Sequence, residues 1–383
     1  LASSAASDVY KRQGGIIRIL VGTVGNLPEL DEKADISKLR AEDGTYRKEA
    51  FLIQEKDGEL LIAGTDRRGT IYGIYDFCEW LGVSPWYFFA DVPVRRRSEA
   101  VIENGYCKVD YPSVEYRGIF INDEEELEHW VWRYMGETTI GVKTYEKIFE
   151  LLLRLKLNYI WPAMHVNSFN LKQENGALAN RMGIVVGTSH CDMLMRSNNR
   201  EWKPWLAKKG YTDVEYDFSI PGRNREILKE YWRESVEQNR DFEVSYTVGM
   251  RGIHDSGFET KSLEGLTGEK LLKAKIELLE SVMAAQQEIL SETLDTEPMK
   301  TFVPYKEVLE LYDNGLKVPE DLTLIWTNDN YGYVRRYPGE KEKARKSGNG
   351  IYYHNSYWAP PGASYLFICS IPMSHTRNCL LYP

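Results

Sequence analysis

Apolar runs separated by turn residues predict a small sheet in the first part of the chain. Residues 16–21 form a strongly apolar run, as expected of a buried strand. Two further apolar segments, 50–54 and 59–63, flank the dipeptide Asp57-Gly58, which is typical of a type I′ hairpin turn. We therefore expect one buried strand followed by a β-hairpin.

A helix and a loop complete the predicted N-terminal domain. Apolar residues recur at helical spacing over 68–81, and Gly82 follows directly as a C-cap. The aromatic segment 84–94, which contains two prolines, is typical of a loop. Pro112 marks the crossing into the next domain. The pattern therefore predicts an α/β domain over residues 14–111.

From residue 114 onward, apolar strands alternate with helical segments such as 145–157, 223–239 and 269–294. Repeated strand–helix units over this length predict a (β/α)8 barrel of the TIM type over 112–373. A doubly wound sheet would alternate in the same way, but no Gly-rich phosphate loop follows a strand. The strand candidates are 114–121, 158–163, 184–189, 243–250, 300–304, 322–327 and 350–355.

Polar and aromatic residues follow nearly every predicted barrel strand, and catalytic groups of such barrels stand at the C-terminal strand ends. One Asx residue at a strand end is often only a helix cap, but seven polar ends are hard to explain as caps. We therefore expect an active site at this rim. The strand ends are Asn122-Asp123-Glu124, Met164-His165, Ser189-His190-Cys191-Asp192, Arg251-Gly252-Ile253-His254-Asp255, Tyr305-Lys306-Glu307, Asn328-Asp329-Asn330-Tyr331 and His354-Asn355-Ser356-Tyr357-Trp358.

Three carboxylates at separate strand ends narrow the chemistry: Asp123, Asp255 and Glu307. Glycoside hydrolysis needs two opposed carboxyl groups, one to protonate the leaving oxygen and one to act as base or nucleophile on the other sugar face. For any single carboxylate, a salt bridge or a helix cap is an equal alternative. The 25 tyrosines and 10 tryptophans fit carbohydrate binding, although many of these rings are expected in the core.

Three other functions compete with a glycosidase. A Cys/His hydrolase would pair His190 with Cys191, but adjacent strand residues point to opposite sides. A metal-dependent sugar isomerase could use His165, His190 and His254, although no HExxH motif or close ligand pair is present. A non-catalytic carbohydrate-binding barrel would have lost one carboxylate, and none is missing. No motif for a cofactor is found, and none is predicted.

Composition excludes several classes of partner. The net charge is −9 and the longest basic run is Arg95-Arg96-Arg97, so a nucleic-acid-binding surface is not predicted. No apolar run approaches the ~18–20 residues of a membrane-spanning helix. The five cysteines are scattered without CxxC spacing, which argues against a disulfide framework or a structural zinc site.

Both ends of the chain are unusual. The sequence begins Leu1-Ala2-Ser3, without a methionine or the apolar core of a signal peptide, and residues 374–383 show no periodicity. We interpret residues 1–13 and 374–383 as non-native tails. The eighth barrel strand is either residues 365–370 or a segment beyond the end of the chain, so the barrel is expected to be truncated.

Long segments at these strand ends resemble the conserved blocks of glycoside hydrolase family 115, the xylan α-1,2-glucuronidases. The resemblance runs from about residue 16 to residue 371, in the order of the family, and residues 60–94 are similar to the end of that family's N-terminal domain. The blocks are YRGIFINDE at 116–124, SHC at 189–191, VGMRGIHDSG at 248–257, TFVPYKEVLELYDNGLKVPEDLTLIWTNDNYGYVRR at 301–336 and GIYYHNSYWAPP at 350–361.

The resemblance implies inverting hydrolysis of α-1,2-linked glucuronic acid, or its 4-O-methyl form, from glucuronoxylan. It places Glu307 at the proposed general acid, Asp255 at the proposed base, and Asn330 as an assisting residue. Inversion needs room for a water molecule, so the two carboxyl groups should be roughly 6.5–9.5 Å apart. The other expected substrate-binding residues are Asp123, Arg251, Tyr305, Tyr357, His190, His165 and Trp358.

Arg251 is the leading candidate to bind the glucuronate carboxylate, because a guanidinium matches a carboxylate with two hydrogen bonds. The alternative is an ion pair with Asp255 or Asp123. The chain has Asn328 where the family often has Asp, so a role for a carboxylate at that position is not supported. The family further implies a helical domain after the barrel, a secreted or periplasmic location, and a homodimer for the full-length protein.

Overall fold

The structure is a computed structural model that describes residues 9–12, 15–97, 99–122, 125–329, 333–354, 356–358 and 366–368. The internal contacts of the chain divide it into two compact units. The first comprises Leu1–Gly118, Lys143–Tyr159 and Met182–Ile184, and the second comprises Ile119–Val142, Ile160–Arg181 and Val185–Pro383. The domain boundaries expected from the sequence stay predictions.

The first unit contains a mixed sheet of five strands: Val9–Arg12 (β1), Gly15–Thr23 (β2), Phe51–Lys56 (β3), Glu59–Gly64 (β4) and Cys107–Asp110 (β5). Their order in the sheet is β1–β2–β4–β3–β5. β2 is parallel to β4, and the other neighbours are antiparallel. Apolar side chains of the three central strands share one core with the loops, including Leu20, Leu52 and Leu61.

The predicted buried strand and hairpin are confirmed in β2, β3 and β4. Asp57 and Gly58 have φ angles of 54° and 81°, so both loop residues are left-handed, as a type I′ turn requires. The edge strands β1 and β5 were not predicted. Both are four residues long, and their pairing comes from a neighbouring strand rather than from an apolar pattern of their own.

Two helices belong to this sheet, Pro28–Lys33 (α1) and Arg67–Trp80 (α2). The helix predicted over 68–81 is therefore confirmed. The side chain of Asp66 accepts a 2.8 Å hydrogen bond from the backbone of Gly69 and caps the N-terminus of α2. A Cβ atom on Gly69 would lie 2.2 Å from the carbonyl oxygen of Ala50. This glycine therefore lets α2 approach the hairpin closely.

Seven short strands follow: Gly118–Phe120 (β6), Tyr159–Trp161 (β7), Val185–Val186 (β8), Ser245–Thr247 (β9), Met299–Phe302 (β10), Thr323–Thr327 (β11) and Asn349–Tyr352 (β12). β6–β7–β8 and β9–β10–β11–β12 are neighbours in that order, and a parallel bridge between Val186 and Val244 connects the two groups. The second group is parallel throughout. Each predicted strand candidate overlaps one of these strands. Five candidates contain their strand, whereas β10 and β12 begin one residue before the predicted range.

Eight α-helices accompany these strands in the described residues: Glu125–Trp130 (α3), Val142–Arg154 (α4), Gln173–Met182 (α5), Asn198–Lys209 (α6), Arg223–Asn239 (α7), Gly268–Thr293 (α8), Glu307–Asp313 (α9) and Glu340–Lys343 (α10). The helices predicted over 145–157, 223–239 and 269–294 are confirmed as α4, α7 and α8. In α4 the side chains of Tyr145, Ile148, Phe149 and Leu152 are buried. This spacing of three and four residues places them on one face.

The remaining described strands are Ser356–Trp358 (β13) and Leu366–Ile368 (β14). They pair with each other in antiparallel register. Residues 365–370 were one of two candidates for the eighth barrel strand, and which of the two forms it stays a prediction. No helix in the described ranges is both long and apolar enough to span a membrane.

Candidate active site

A buried arginine joins the two carboxylates predicted to be catalytic. Arg251 and Asp255 follow β9, and Glu307 begins α9 just after β10. Arg251 Nε and Nη2 donate to the Glu307 carboxylate over 2.8 and 2.9 Å. Its Nη1 donates to Asp255 Oδ1. The Arg251 side chain is only 3% exposed, so this guanidinium sets the positions of both carboxylates.

The residue directly before each carboxylate has an unusual backbone. His254, before Asp255, has a φ of 60°, and Lys306, before Glu307, has a φ of 51°. Neither residue is glycine, and left-handed backbone at such residues costs free energy that the surrounding structure must offset. Such strain concentrates at functional sites. Here the left-handed backbone at these two residues directs the carboxylate that follows each of them towards Arg251.

Asp255 accepts hydrogen bonds on both of its oxygens. His190 Nε2 lies 2.9 Å from Oδ1, which also accepts from Arg251. Lys306 Nζ donates to Oδ2. Burial raises the pKa of Asp255, but the hydrogen bonds from His190 and Lys306 and the charge of Arg251 outweigh it, so the pKa lies below its usual range. Asp255 is therefore ionised and oriented, as a general base must be.

His190 is a buried, neutral partner of Asp255. Burial lowers the pKa of His190, and this effect exceeds the opposing attraction of Asp255. A neutral imidazole can still donate from Nε2 to the carboxylate. The ring of Tyr305 stands edge-on to the His190 ring with centroids 4.6 Å apart. Burial also raises the pKa of Tyr305, to about 12, so its hydroxyl stays protonated.

Glu307 accepts a further hydrogen bond from the backbone amide of Phe258, over 3.1 Å. Together with the two bonds from Arg251, this fixes the orientation of the carboxylate. Its side chain is 25% exposed, so solvent or a ligand reaches it, unlike the arginine behind it. In the ion pair of Glu307 with Arg251, Glu307 is thus the member that solvent reaches.

Asn328 joins the ends of β11 and β12, at the position where the family often has an aspartate. Its Oδ1 accepts from the backbone amide of His354 over 2.8 Å, and its Nδ2 donates to the carbonyl of the same residue over 3.1 Å. An ionised aspartate could not make the second bond because it has no donor. Burial lowers the pKa of His354 to about 4, so this ring is neutral at pH 7.

The other predicted residues are placed as follows. The ring of His165 lies 4.0 Å from that of His254, and its Nε2 is 3.3 Å from Glu125. Asp123 and Asn330 lie outside the described residues, and of Tyr357 and Trp358 only the backbone is described, in β13. The assigned roles of these residues stay predictions.

No role was predicted for Lys306 from the sequence, although the residue lies at one of the predicted strand ends. The ion pair of Lys306 with Asp255 depends on the left-handed backbone at residue 306, which no periodicity reveals. For Arg251, the sequence left open either binding of the substrate carboxylate or an ion pair within the protein. The structure has Arg251 in an ion pair with Asp255. Three of its five N–H groups are already used by carboxylates, so little remains for a substrate.

The alternative chemistries are not favoured by this geometry. Cys191 Sγ lies 3.4 Å from Asp192 and 3.3 Å from Ser189, whereas His190 is turned to Asp255. Burial raises the pKa of the Cys191 thiol, which makes it a poor nucleophile. Within the part of the chain that the structure describes, no group of three or more His, Cys, Asp or Glu could hold a metal ion.

Asp192 leads to a prediction about pH and stability. Burial raises its pKa to about 7, from an ordinary value of 3.8, so the folded state keeps a proton that the unfolded state has lost between those pH values. The free energy of unfolding therefore falls with rising pH over this window. We expect the free energy of unfolding of Asp192→Asn, relative to that of the parent protein, to rise by a few kcal/mol from pH 4 to pH 7.5. Urea unfolding at both pH values measures this difference.

The difference in stability between the two proteins reports on Asp192 alone. The lowered pKa values of His190 and His354 make the free energy of unfolding rise with pH, but this effect is the same in both proteins. A stability difference between the two proteins that does not change with pH would contradict this assignment.

We also expect Arg251→Met to lower the free energy of unfolding by roughly 3 kcal/mol, because removing one partner leaves partly buried carboxylates without their counter-ion. Thermal and urea unfolding at pH 7 measure this loss. The control is Arg233→Met. Its exposed partner Glu292 lies 2.6 Å away, and a surface pair of this kind contributes at most about 1 kcal/mol. Equal effects of the two substitutions would show that Arg251 does not organise the site.

Comparisons with known proteins agree with the resemblance. The family model Glycosyl hydrolase family 115 matches residues 109–381. No curated protein sequence matches the chain. Among solved structures, the chain is similar to BtGH115A, a family GH115 4-O-methyl-α-glucuronidase with specificity for decorated arabinogalactans, at 38% sequence identity and a TM-score of 0.79. The similarity covers 90% of this chain, which spans 44% of the length of that protein.

More distant similarities add nothing to this assignment. A GH138 enzyme targeting pectin rhamnogalacturonan II is 14% identical over 74% of this chain and 32% of that chain, with a TM-score of 0.40. A β-N-acetylhexosaminidase from Bacteroides fragilis is 15% identical over 73% and 57%, with a TM-score of 0.44. The family match, in contrast, extends over well more than half of the chain. The chain belongs to glycoside hydrolase family 115.

Proposed function

We propose that the protein is an inverting glycosidase that removes α-1,2-linked glucuronic acid, or its 4-O-methyl form, from glucuronoxylan. The observation that carries this proposal is the pair of carboxylates, Asp255 and Glu307, brought from two strand ends to one arginine. Two carboxyl groups are the minimum that this chemistry needs. Membership of family 115 supports the glycosidic bond as the target.

In the proposed reaction, Glu307 protonates the glycosidic oxygen as its bond to the sugar C1 atom breaks. Asp255 takes a proton from the water that attacks C1 from the opposite face. The product is the β anomer of the acid. Glu307 accepts bonds from Arg251 and Phe258, so one of these bonds gives way to the leaving oxygen in the reactive complex. Tyr305 and His190, neutral and close to Asp255, are proposed to bind sugar hydroxyls.

A second substrate class has its own support. The structurally similar BtGH115A is described as specific for decorated arabinogalactans, and both polymers carry uronic acid side groups. Incubation of the protein with glucuronoxylan and, separately, with a glucuronic-acid-bearing arabinogalactan decides between them. Free uronic acid is measured by anion-exchange chromatography. We expect faster release from glucuronoxylan, and preferential release from arabinogalactan would assign the second class instead.

We also propose that strands β6–β12 belong to a (β/α)8 barrel. Their sequential order and their alternation with helices support it. The ring of Tyr352 in β12 contacts Phe120 in β6 and Trp161 in β7, with centroids 5.5 and 5.0 Å apart, as inward-facing residues of a closed barrel would. A location outside the cytoplasm is proposed because the polymeric substrate is too large to enter a cell.

A further inference from the structure

We propose that Lys306 is the residue that binds the carboxylate of the uronic acid, and that it leaves Asp255 in doing so. Substrate binding would then exchange one ion pair for another and expose the base only when an acidic sugar is present. This inference rests on the proposed function and deepens it, because it gives the same site a specificity-determining residue.

The two cations of the site differ in exposure and in the number of their partners. Arg251 is 3% exposed and makes three hydrogen bonds to protein carboxylates. The side chain of Lys306 is 35% exposed and has one carboxylate partner among the described residues, Asp255. A flexible lysine at the surface of the cluster can change partner at low cost, whereas a buried arginine fork cannot. Lys306 is therefore the cation available to a ligand.

The two oxygens of Asp255 have different partners. Oδ1 is held by His190 and Arg251, two side chains that are themselves buried. Among the described residues, Oδ2 accepts only from Lys306. When Lys306 moves away, Oδ1 stays anchored and Oδ2 is free to accept a proton from water. The exchange thus activates the base without disturbing its orientation.

The charge of the cluster favours an acidic ligand. With Glu307 protonated, as the proposed general acid must be, Arg251 and Lys306 carry two positive charges against the one negative charge of Asp255. Without Lys306 the cluster would be neutral and would no longer attract an approaching uronate. With Lys306 present, its ammonium group exchanges the carboxylate of Asp255 for that of the uronate. A neutral hexose offers no such partner, so it leaves Lys306 on Asp255 and the base blocked.

The test uses a glucuronoxylo-oligosaccharide and the same compound after reduction of its carboxyl group to an alcohol. We expect Lys306→Met to lower kcat/KM on the acidic substrate by about 100-fold or more. On the reduced substrate kcat/KM should instead rise, because Lys306 no longer blocks Oδ2 of Asp255. Lys306→Arg, which keeps the charge, should restore part of the discrimination. The control Lys343→Met removes a lysine of similar exposure, 34%, that pairs with Glu340, and should change neither value.

Binding of free D-glucuronate and D-glucose by calorimetry gives a readout that does not depend on turnover. Weaker glucuronate binding by Lys306→Met, with glucose binding unchanged, supports the proposal even if the parent hydrolyses neither oligosaccharide, which would refute only the proposed function. Two results would overturn the proposal: equal losses on the acidic and the reduced substrate, as a purely structural role predicts, or glucuronate binding by Lys306→Met as tight as that of the parent.

Discussion

We expect Glu307→Gln to lower turnover on glucuronoxylan by about 10²–10⁴-fold, the contribution of a positioned proton donor. Glutamine keeps the size of the side chain and can accept from the Phe258 amide, 3.1 Å from Glu307 in the parent protein. It cannot give up a proton to the leaving oxygen. Steady-state kinetics of both proteins, with circular dichroism to confirm folding, measure this loss.

A leaving group that needs no protonation sharpens this prediction. On an aryl α-glucuronide with an acidic phenol, the loss caused by Glu307→Gln should shrink at least tenfold relative to the loss on xylan. Glu310→Gln, an exposed glutamate of the same helix, is the matched control and should retain full activity. A loss that is the same for both leaving groups would assign Glu307 a role other than proton donation.

We expect Asp255→Asn to lower turnover by a similar factor, about 10²–10⁴-fold, because the attacking water loses its base. Unlike the loss at Glu307, this one should not depend on the leaving group. Azide, a small anion that attacks without deprotonation, should restore part of the rate and yield a glucuronyl azide of inverted configuration. Kinetics with and without azide, and identification of the product by NMR, provide the measurement.

Asp241→Asn, at an exposed position after α7, is the control for this substitution. Unchanged turnover in Asp255→Asn would remove Asp255 from the mechanism. Rescue by azide with retained configuration would place the nucleophile on the other face of the sugar and reverse the assignment of the two carboxylates.

The sequence predicted those parts of the fold that follow from local chemistry. Asp57-Gly58 specifies a left-handed two-residue turn, and the apolar spacing over 145–157 specifies a helix, so both were predicted correctly. The edge strand β5 and the pairing of β13 with β14 were not, because their hydrogen bonds depend on partners supplied by the tertiary fold. Strand ends were overestimated where apolar residues such as Val248 and Met250 are buried outside regular pairing.

The candidate site was predictable as a set of residues but not as a set of contacts. Alternation of strands and helices brings Arg251, Asp255 and Glu307 to the C-terminal ends of two neighbouring strands. The blocks that resemble the family contain all three residues. The contacts of Arg251 with the two carboxylates depend on side-chain torsions and on the left-handed backbone at His254 and Lys306. Those conformations are imposed by the surrounding structure, and no pattern of residue types reports them.

Proton NMR that follows the hydrolysis of a glucuronoxylo-oligosaccharide in real time tests the inverting mechanism directly. We expect the anomeric signal of free β-glucuronic acid to appear first and the α signal to grow later by mutarotation, because water attacks opposite the leaving oxygen. First appearance of the α anomer would show a retaining enzyme, and no release of uronic acid from any uronate-bearing glycan would contradict the function itself.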